Sequence, residues 1–207
     1  MTDQAEEQRQ QEEILVKSET IYEGKIMTLK VNTVELPNRK YAKREIAVHG
    51  RGVGILALSD RGTMYMVRQY RAAIDQVLLE IPAGLIDPGE SPQEAAIREL
   101  QEEIHYKPGQ LDYLMDLYSS PGFTNEKMSL FLARSLQYSP LAQDETEFVE
   151  AFEYPIEDLF EAVKNFDLVD AKSVIAVQIA YYEYFLPHQE AFLQARAQEE
   201  MVKKERG

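Results

Sequence analysis

The sequence predicts an α+β protein: an α/β/α sandwich built on a mixed sheet, preceded by a small β-rich unit. Three features point there. Short runs of β-branched and aromatic residues, separated by turn-forming residues, fill the first half of the chain. A strongly signalled helix begins at Ser91, in the middle of the strand-rich region. Two helical stretches then follow the last strand.

Residues 1–13 are acidic and polar, and read as a solvated tail. Extended pattern begins at Ile14 and continues to Val48, with strands over Ile26–Glu35 and Tyr41–Val48 and a turn at Pro37-Asn38. Residues 14–50 thus form the β-rich unit. Val53–Leu58 and Met64–Arg68 read as a hairpin around Ser59-Asp60-Arg61-Gly62, and Val77–Ile81 as a strand ending at Pro82-Ala83-Gly84. Ser91 at N-cap, Pro92 at N1 and Glu94 at N3 start a helix that runs to Ile104. Strands return at Leu111–Tyr118, Met128–Ala133 and Phe148–Tyr154. Helices follow at Ile156–Phe166 and from Ala171 to Phe185. Residues 51–187 make the main domain, and 188–207 a charged C-terminal extension.

Composition removes several classes of function. With no cysteine, neither a disulfide framework nor a thiolate metal site can form. The three histidines, His49, His105 and His188, are too scattered for a metal-ligand motif. A net charge of −14 opposes nonspecific nucleic-acid binding, which depends on neutralising phosphates with Lys and Arg. No apolar run reaches the ~20 residues needed to span a bilayer. No signal peptide is visible in MTDQAEEQRQQEE, so the expected address is the cytoplasm. An anionic substrate would have to be drawn in locally, by divalent cations or a few arginines.

The helix at Ser91 carries the chemistry. At 100° per residue, Glu103 falls about 40° and Glu102 about 60° from Glu99, while Ala96, Ile97, Leu100 and Ile104 form an apolar stripe to one side. Three carboxylates at that spacing repel one another by a few tenths of a kcal/mol per pair. A bound hard cation reverses the sign, because Mg²⁺ prefers carboxylate, water and phosphate oxygens. A solvated acidic face is the plainer reading of Glu99-Leu100-Gln101-Glu102-Glu103 taken alone.

The longer spacing decides between them. Gly84, five residues, Glu90, seven residues, then Arg98-Glu99-Leu100-Gln101-Glu102-Glu103 resembles the signature of the Nudix hydrolases. That resemblance implies cleavage of nucleoside diphosphates linked to another moiety. It makes Glu99, Glu102 and Glu103 metal ligands together with the carbonyl of Ala83, with two to three Mg²⁺ or Mn²⁺ ions as cofactor. It gives Gly84 a tight turn, and makes Glu90 and Arg98 orienting partners of the ligands, or else helix-anchoring ion pairs. The chain departs from the family at His105, where a glycine is usual. A left-handed conformation there would cost His ~1 kcal/mol.

Outside that run, Arg68-Gln69-Tyr70-Arg71, Glu80-Ile81-Pro82-Ala83-Gly84-Leu85-Ile86-Asp87, Pro121, Glu147-Phe148-Val149-Glu150 and Asp170-Ala171-Lys172-Ser173 resemble the ADP-ribose pyrophosphatase branch. The resemblance spans roughly residues 20 to 185. It implies hydrolysis of ADP-ribose to AMP and ribose 5-phosphate. Arg71 would bind the diphosphate, where a guanidinium can hold two oxygens at once. Arg44 would reach the terminal ribose or phosphate in the other subunit of a homodimer joined through the N-terminal strands. Phe123, Tyr22 or Tyr41 would stack on adenine, or else belong to the core. Glu147, then Glu145, would be the general base, acting with Glu103 in catalysis. Glu80 is either structural or part of the site. Rival readings are another nucleoside diphosphate derivative, such as GDP-mannose or NADH, and a non-catalytic sensor of ADP-ribose; the intact carboxylates argue against the sensor.

Overall fold

The computed structural model describes residues 10–143 and 147–206. Most of the tail expected over 1–13, and Glu145, lie outside the described residues. The chain divides into two units. One comprises the chain up to Arg51 together with Tyr118–Lys127; the other comprises Gly52–Leu117 and the chain from Met128 onward.

In the first unit, β1 (Ile14–Glu23), β2 (Met27–Glu35) and β3 (Tyr41–His49) form an antiparallel meander. The β2–β3 turn falls where Pro37-Asn38 predicts it. The Asn38 side chain accepts from the Lys40 N–H at 3.1 Å, and Arg39 takes a positive φ of 62°. The segment Tyr118–Lys127 is tied to β3: the Ala47 N–H donates to the Phe123 carbonyl and the His49 N–H to Asn125 Oδ1, each at 2.8 Å.

The second unit holds two sheets. The larger has the order β7-β4-β9-β8, from β4 (Gly52–Ala57), β7 (Ala83–Leu85), β8 (Tyr106–Tyr118) and β9 (Lys127–Tyr138). It is mixed as expected: β4 runs parallel to β9 and antiparallel to β7. The smaller has the order β10-β5-β6, from β5 (Thr63–Arg71), β6 (Gln76–Glu80) and β10 (Val149–Pro155), all antiparallel.

The expected hairpin of Val53–Leu58 with Met64–Arg68 does not form. The two strands form a ladder bridge only at Leu58–Met64 and then enter different sheets. The reason lies in β4, all of whose six residues are buried. A strand that buries both faces must also satisfy both backbone edges, and here β7 and β9 take them. The β5 strand pairs instead with β6 and β10.

Alternation along the strands separates two apolar layers. Val53, Ile55 and Ala57 of β4, with Phe131 and Ala133 of β9, pack with Ala95, Ala96, Leu100 and Ile104 of α1 (Pro92–Glu103). Leu56, Leu130 and Leu132 point the other way, toward Ile156 and Leu159 of α2 (Ile156–Lys164) and Ala176 and Val177 of α3 (Ala171–Ile179). Helix on each side of a sheet is the predicted sandwich.

Past α3 the helix widens to a π-turn over Ala180–Phe185 and continues as α4 (Leu186–Arg206). Pro187 cannot donate a hydrogen bond to the preceding turn, which accounts for the widening. The C-terminal extension is therefore joined to the domain, at least as far as Arg196. Phe192 stacks on Phe185 with ring centroids 6.3 Å apart, and Arg196 pairs with Glu157 on α2. A Cβ on Gly62, at φ 70°, would strike the Phe192 ring.

Leu132 is 1% exposed and packed from both the sheet and the helices. Leu132→Ala should lower the unfolding free energy by about 2–5 kcal/mol, read from urea denaturation, and a loss below about 1 kcal/mol would contradict this packing.

Candidate active site

The site is organised by α1. Its N-terminus forms as the sequence predicts: the Ser91 hydroxyl accepts from the Glu94 N–H at 3.2 Å, and the Glu94 carboxylate accepts from the Ser91 N–H at 2.8 Å. At its other end His105 takes a positive φ of 68°, the left-handed conformation expected where the family keeps glycine.

Arg98 uses all five of its N–H donors. Nε and Nη2 donate to the two oxygens of Glu90, each at 3.0 Å. Nη2 also donates to the Leu85 carbonyl at 2.9 Å. Nη1 donates to Glu99 Oε1 at 2.7 Å and to Glu102 Oε2 at 3.0 Å. Glu90 in turn accepts from the Asp87 N–H at 3.1 Å. The guanidinium thus fastens the loop after β7 to the carboxylate face of the helix. It holds the Glu90 carboxyl below its usual range, and Glu90 in turn raises Arg98 further.

Gly84 does not make the expected turn. It lies in β7, opposite Val53, and its φ is not in the left-handed region. Its role is close approach: a Cβ built there would overlap the Glu99 carboxylate. The adjacent Ala83 N–H donates to Glu103 Oε2 at 3.0 Å. The short strand β7 therefore lies against two of the three helix carboxylates.

Those two are buried, Glu99 at 7% and Glu103 at 4% exposure, so the helix has no simple solvated acidic face. Burial raises the Glu99 carboxyl, with Glu102 and Glu147 adding to the rise and Arg98 opposing it. Burial, Glu99 and Glu147 push Glu103 up to about 8, against the pull of the Ala83 N–H and Arg71. Negative charge is thus concentrated here and only partly offset, and every donor is an oxygen, which suits a hard divalent cation. Among the described residues no three acidic or histidine side chains stand as a ready cage. Arg98 spans Glu99 and Glu102, and one oxygen of Glu103 is turned to Ala83.

Arg71 is near enough to draw the Glu103 carboxyl downward, and Glu147 near enough to raise both Glu99 and Glu103. Arg71 is held by a residue whose part the sequence leaves open. Glu80, 1% exposed, accepts from Arg71 Nε at 2.6 Å and Nη2 at 2.7 Å, and also from Lys172. Burial raises the Glu80 carboxyl, but the Arg71 hydrogen bonds and the Lys172 charge outweigh it and leave it below the usual range. Lys172 also pairs with Asp170 at 3.0 Å. Asp170 caps α3 by accepting from the Ser173 N–H at 3.0 Å, and the Ser173 hydroxyl accepts from the Ile81 N–H at 2.8 Å.

Arg44 and Phe123 belong to the first unit. Arg44 donates to Glu13 through Nε at 2.9 Å, and Phe123 is exposed at the turn bound to β3. Tyr22 and Tyr41 are exposed rather than core. The structure thus brings Ala83, Gly84, Glu90, Arg98, Glu99, Glu102 and Glu103 together, with Arg71 and Glu147 within electrostatic reach of Glu103.

Comparison with known proteins agrees with this geometry. The NUDIX domain family profile matches residues 48–176. The chain belongs to the Nudix family. Among relatives, an ADP-ribose pyrophosphatase of Bacillus subtilis (strain 168) is 41% identical over 81% of this chain and 91% of that protein. A methanol dehydrogenase activator of Bacillus methanolicus is 37% identical over 86% of this chain and 97% of its own length. A crystal structure of an ADP compounds hydrolase superposes with a TM-score of 0.75 at 26% identity, covering 84% of this chain and 95% of that one. Nudix hydrolases generally use Mg²⁺.

Two outcomes follow for this Nudix site. Glu103 keeps its proton in the folded state up to about pH 8, whereas an unfolded Glu loses it near ~4.3. Between those values the folded state binds more protons than the unfolded one, so stability falls as pH rises. In a chelator the melting temperature should be lower at pH 8 than at pH 6. Glu103→Gln should flatten that slope, and a melting temperature that rises toward pH 8 would contradict the burial of Glu103. Arg98→Lys keeps the charge but not the fork, and should weaken the Mg²⁺ dependence of turnover by about 10–100-fold in a metal titration.

Proposed function

We propose that this chain hydrolyses ADP-ribose to AMP and ribose 5-phosphate. The observation that carries the reading is the buried carboxylate face beside Gly84, with Arg71 in reach of it, in a chain so similar along its length to an ADP-ribose pyrophosphatase. Glu99, Glu102, Glu103 and the Ala83 carbonyl would hold two to three Mg²⁺ or Mn²⁺ ions. Bound there, the cations would neutralise the diphosphate and lower the pKa of a coordinated water.

The chain's own residues would do the rest. Arg71 would hold diphosphate oxygens and take up charge that develops on the leaving phosphate. Glu147 would accept the proton of the attacking water, with Glu145 as the next candidate in the same loop. Water adds its oxygen to one phosphorus while the bridging P–O bond breaks. Arg98 and Glu90 would keep the ligand carboxylates in place.

Residues 14–50 would join two copies through their strands. In support, β1 is an edge strand that leaves Ile14, Leu15, Val16 and Ile21 exposed. In such a dimer Arg44 would serve the partner subunit's substrate, and Phe123 would stack on adenine. A second substrate reading, another ADP-containing compound such as NADH, is supported by the likeness to an ADP compounds hydrolase.

A panel of ADP-ribose, NADH and GDP-mannose with Mg²⁺ tests the reading. ADP-ribose should be cleaved fastest, with AMP and ribose 5-phosphate in equal amounts. A higher kcat/KM for another member would overturn the substrate, and binding without cleavage would favour a sensor. Glu103→Gln should reduce kcat by about 10³-fold or more while the protein stays folded.

A further inference from the structure

The four charged side chains Arg71, Glu80, Lys172 and Asp170 form a chain in which one buried carboxylate is shared by two cations. Glu80 Oε1 accepts from Arg71 Nε at 2.6 Å; Oε2 accepts from Arg71 Nη2 at 2.7 Å and from Lys172 Nζ. Arg71 therefore commits one edge of its guanidinium inward, which leaves three N–H groups, two on Nη1 and one on Nη2, for a ligand. Lys172 is only 13% exposed and is itself anchored by Asp170, the cap of α3. With only one negative charge against it, Arg71 would be largely neutralised by Glu80. With Lys172 present, that carboxylate is divided between two cations, and Arg71 keeps a positive field outward.

We propose that Lys172 is a positioning residue for Arg71, acting through Glu80 to keep the guanidinium both oriented and electropositive toward a bound diphosphate. This rests on the reading of Arg71 as the diphosphate-binding group. Lys172 makes no contact with substrate in this role. Losing it leaves the network one positive charge short and draws Arg71 tighter onto Glu80, so the ground-state hold on the diphosphate weakens while the hydrolytic machinery on α1 is untouched.

The test is a double-mutant cycle on the full chain. The readouts are steady-state kinetics with ADP-ribose and calorimetric binding of a non-hydrolysable methylene analogue of it. Lys172→Met should raise KM and the analogue's dissociation constant about ten-fold, which is 1.4 kcal/mol, with kcat falling by less than this through Arg71's share of the leaving-phosphate charge. Lys172→Arg should restore both to within about two-fold, and in an Arg71→Ala background Lys172→Met should have no further effect. If Lys172→Met does not fold, Lys172→Gln removes the same charge and keeps a hydrogen bond to Glu80.

A full additional loss in the Arg71→Ala background would overturn the proposal, because Lys172 would then act on substrate by itself. So would a Lys172→Arg protein as weak as Lys172→Met, or a loss confined to kcat. Unchanged binding in Arg71→Ala would instead sink the diphosphate reading of Arg71, and with it this proposal. A wild-type protein that binds the analogue but does not cleave ADP-ribose would overturn the enzymatic reading while leaving the binding cycle interpretable.

Discussion

The rest of the site depends on a single guanidinium. Arg98 joins the Leu85 carbonyl at the end of β7, the loop carboxylate of Glu90 and two helix carboxylates, and no other side chain type could serve all of them from one plane. Its position fixes the distance between β7 and α1, and that distance explains Gly84. A residue with a side chain would need the helix to withdraw, and the Arg98 bonds hold it in. Glycine and arginine thus act as a pair: one allows the approach, the other enforces it.

The two sides of the site solve the problem of buried charge differently. Around Glu80 the charges balance, two cations against two carboxylates, and every oxygen of Glu80 is bonded. Such a network can stay buried without help. Around Glu99 and Glu103 the balance is left incomplete, and burial raises both carboxyls. An incomplete balance costs stability in the isolated chain. It is also what makes the face receptive to a divalent cation, which supplies the missing charge.

How far the sequence discloses this depends on distance along the chain. The capping of α1, the convergence of its glutamates and the left-handed His105 all arise within a few turns, and local pattern reveals them. The sandwich follows from strand and helix order. The fate of β5 does not, because a hairpin signal is local, while the helices that bury both faces of β4 and the strand β9 that takes one of its edges lie farther along the chain. The partner of Arg71 was equally hidden. Glu80 is close in sequence and in view, but Lys172 reaches it only because Asp170 and Ser173 pin α3 beside Ile81. A carboxylate before a Pro-Ala-Gly run followed by a distant Asp-x-Lys-Ser is a signal, though its meaning needs the fold. The turn assigned to Gly84 shows the converse: the residue type was informative, while its reason lay in a carboxylate from another element.

The parallel pairing of β4 with β9 also has a consequence for how the chain reaches this structure. Parallel neighbours need a long crossover, and here everything from Leu58 to Glu126 lies between the two strands. Closing so large a loop precedes any gain from the central ladder, which makes for slow assembly. Until it closes, Val53, Ile55 and Leu56 lack the neighbour that covers them. The α1 helix has its own cap and its Arg98 links to the adjoining loop. These are local, but its apolar face is covered only when β4 and β9 have come together.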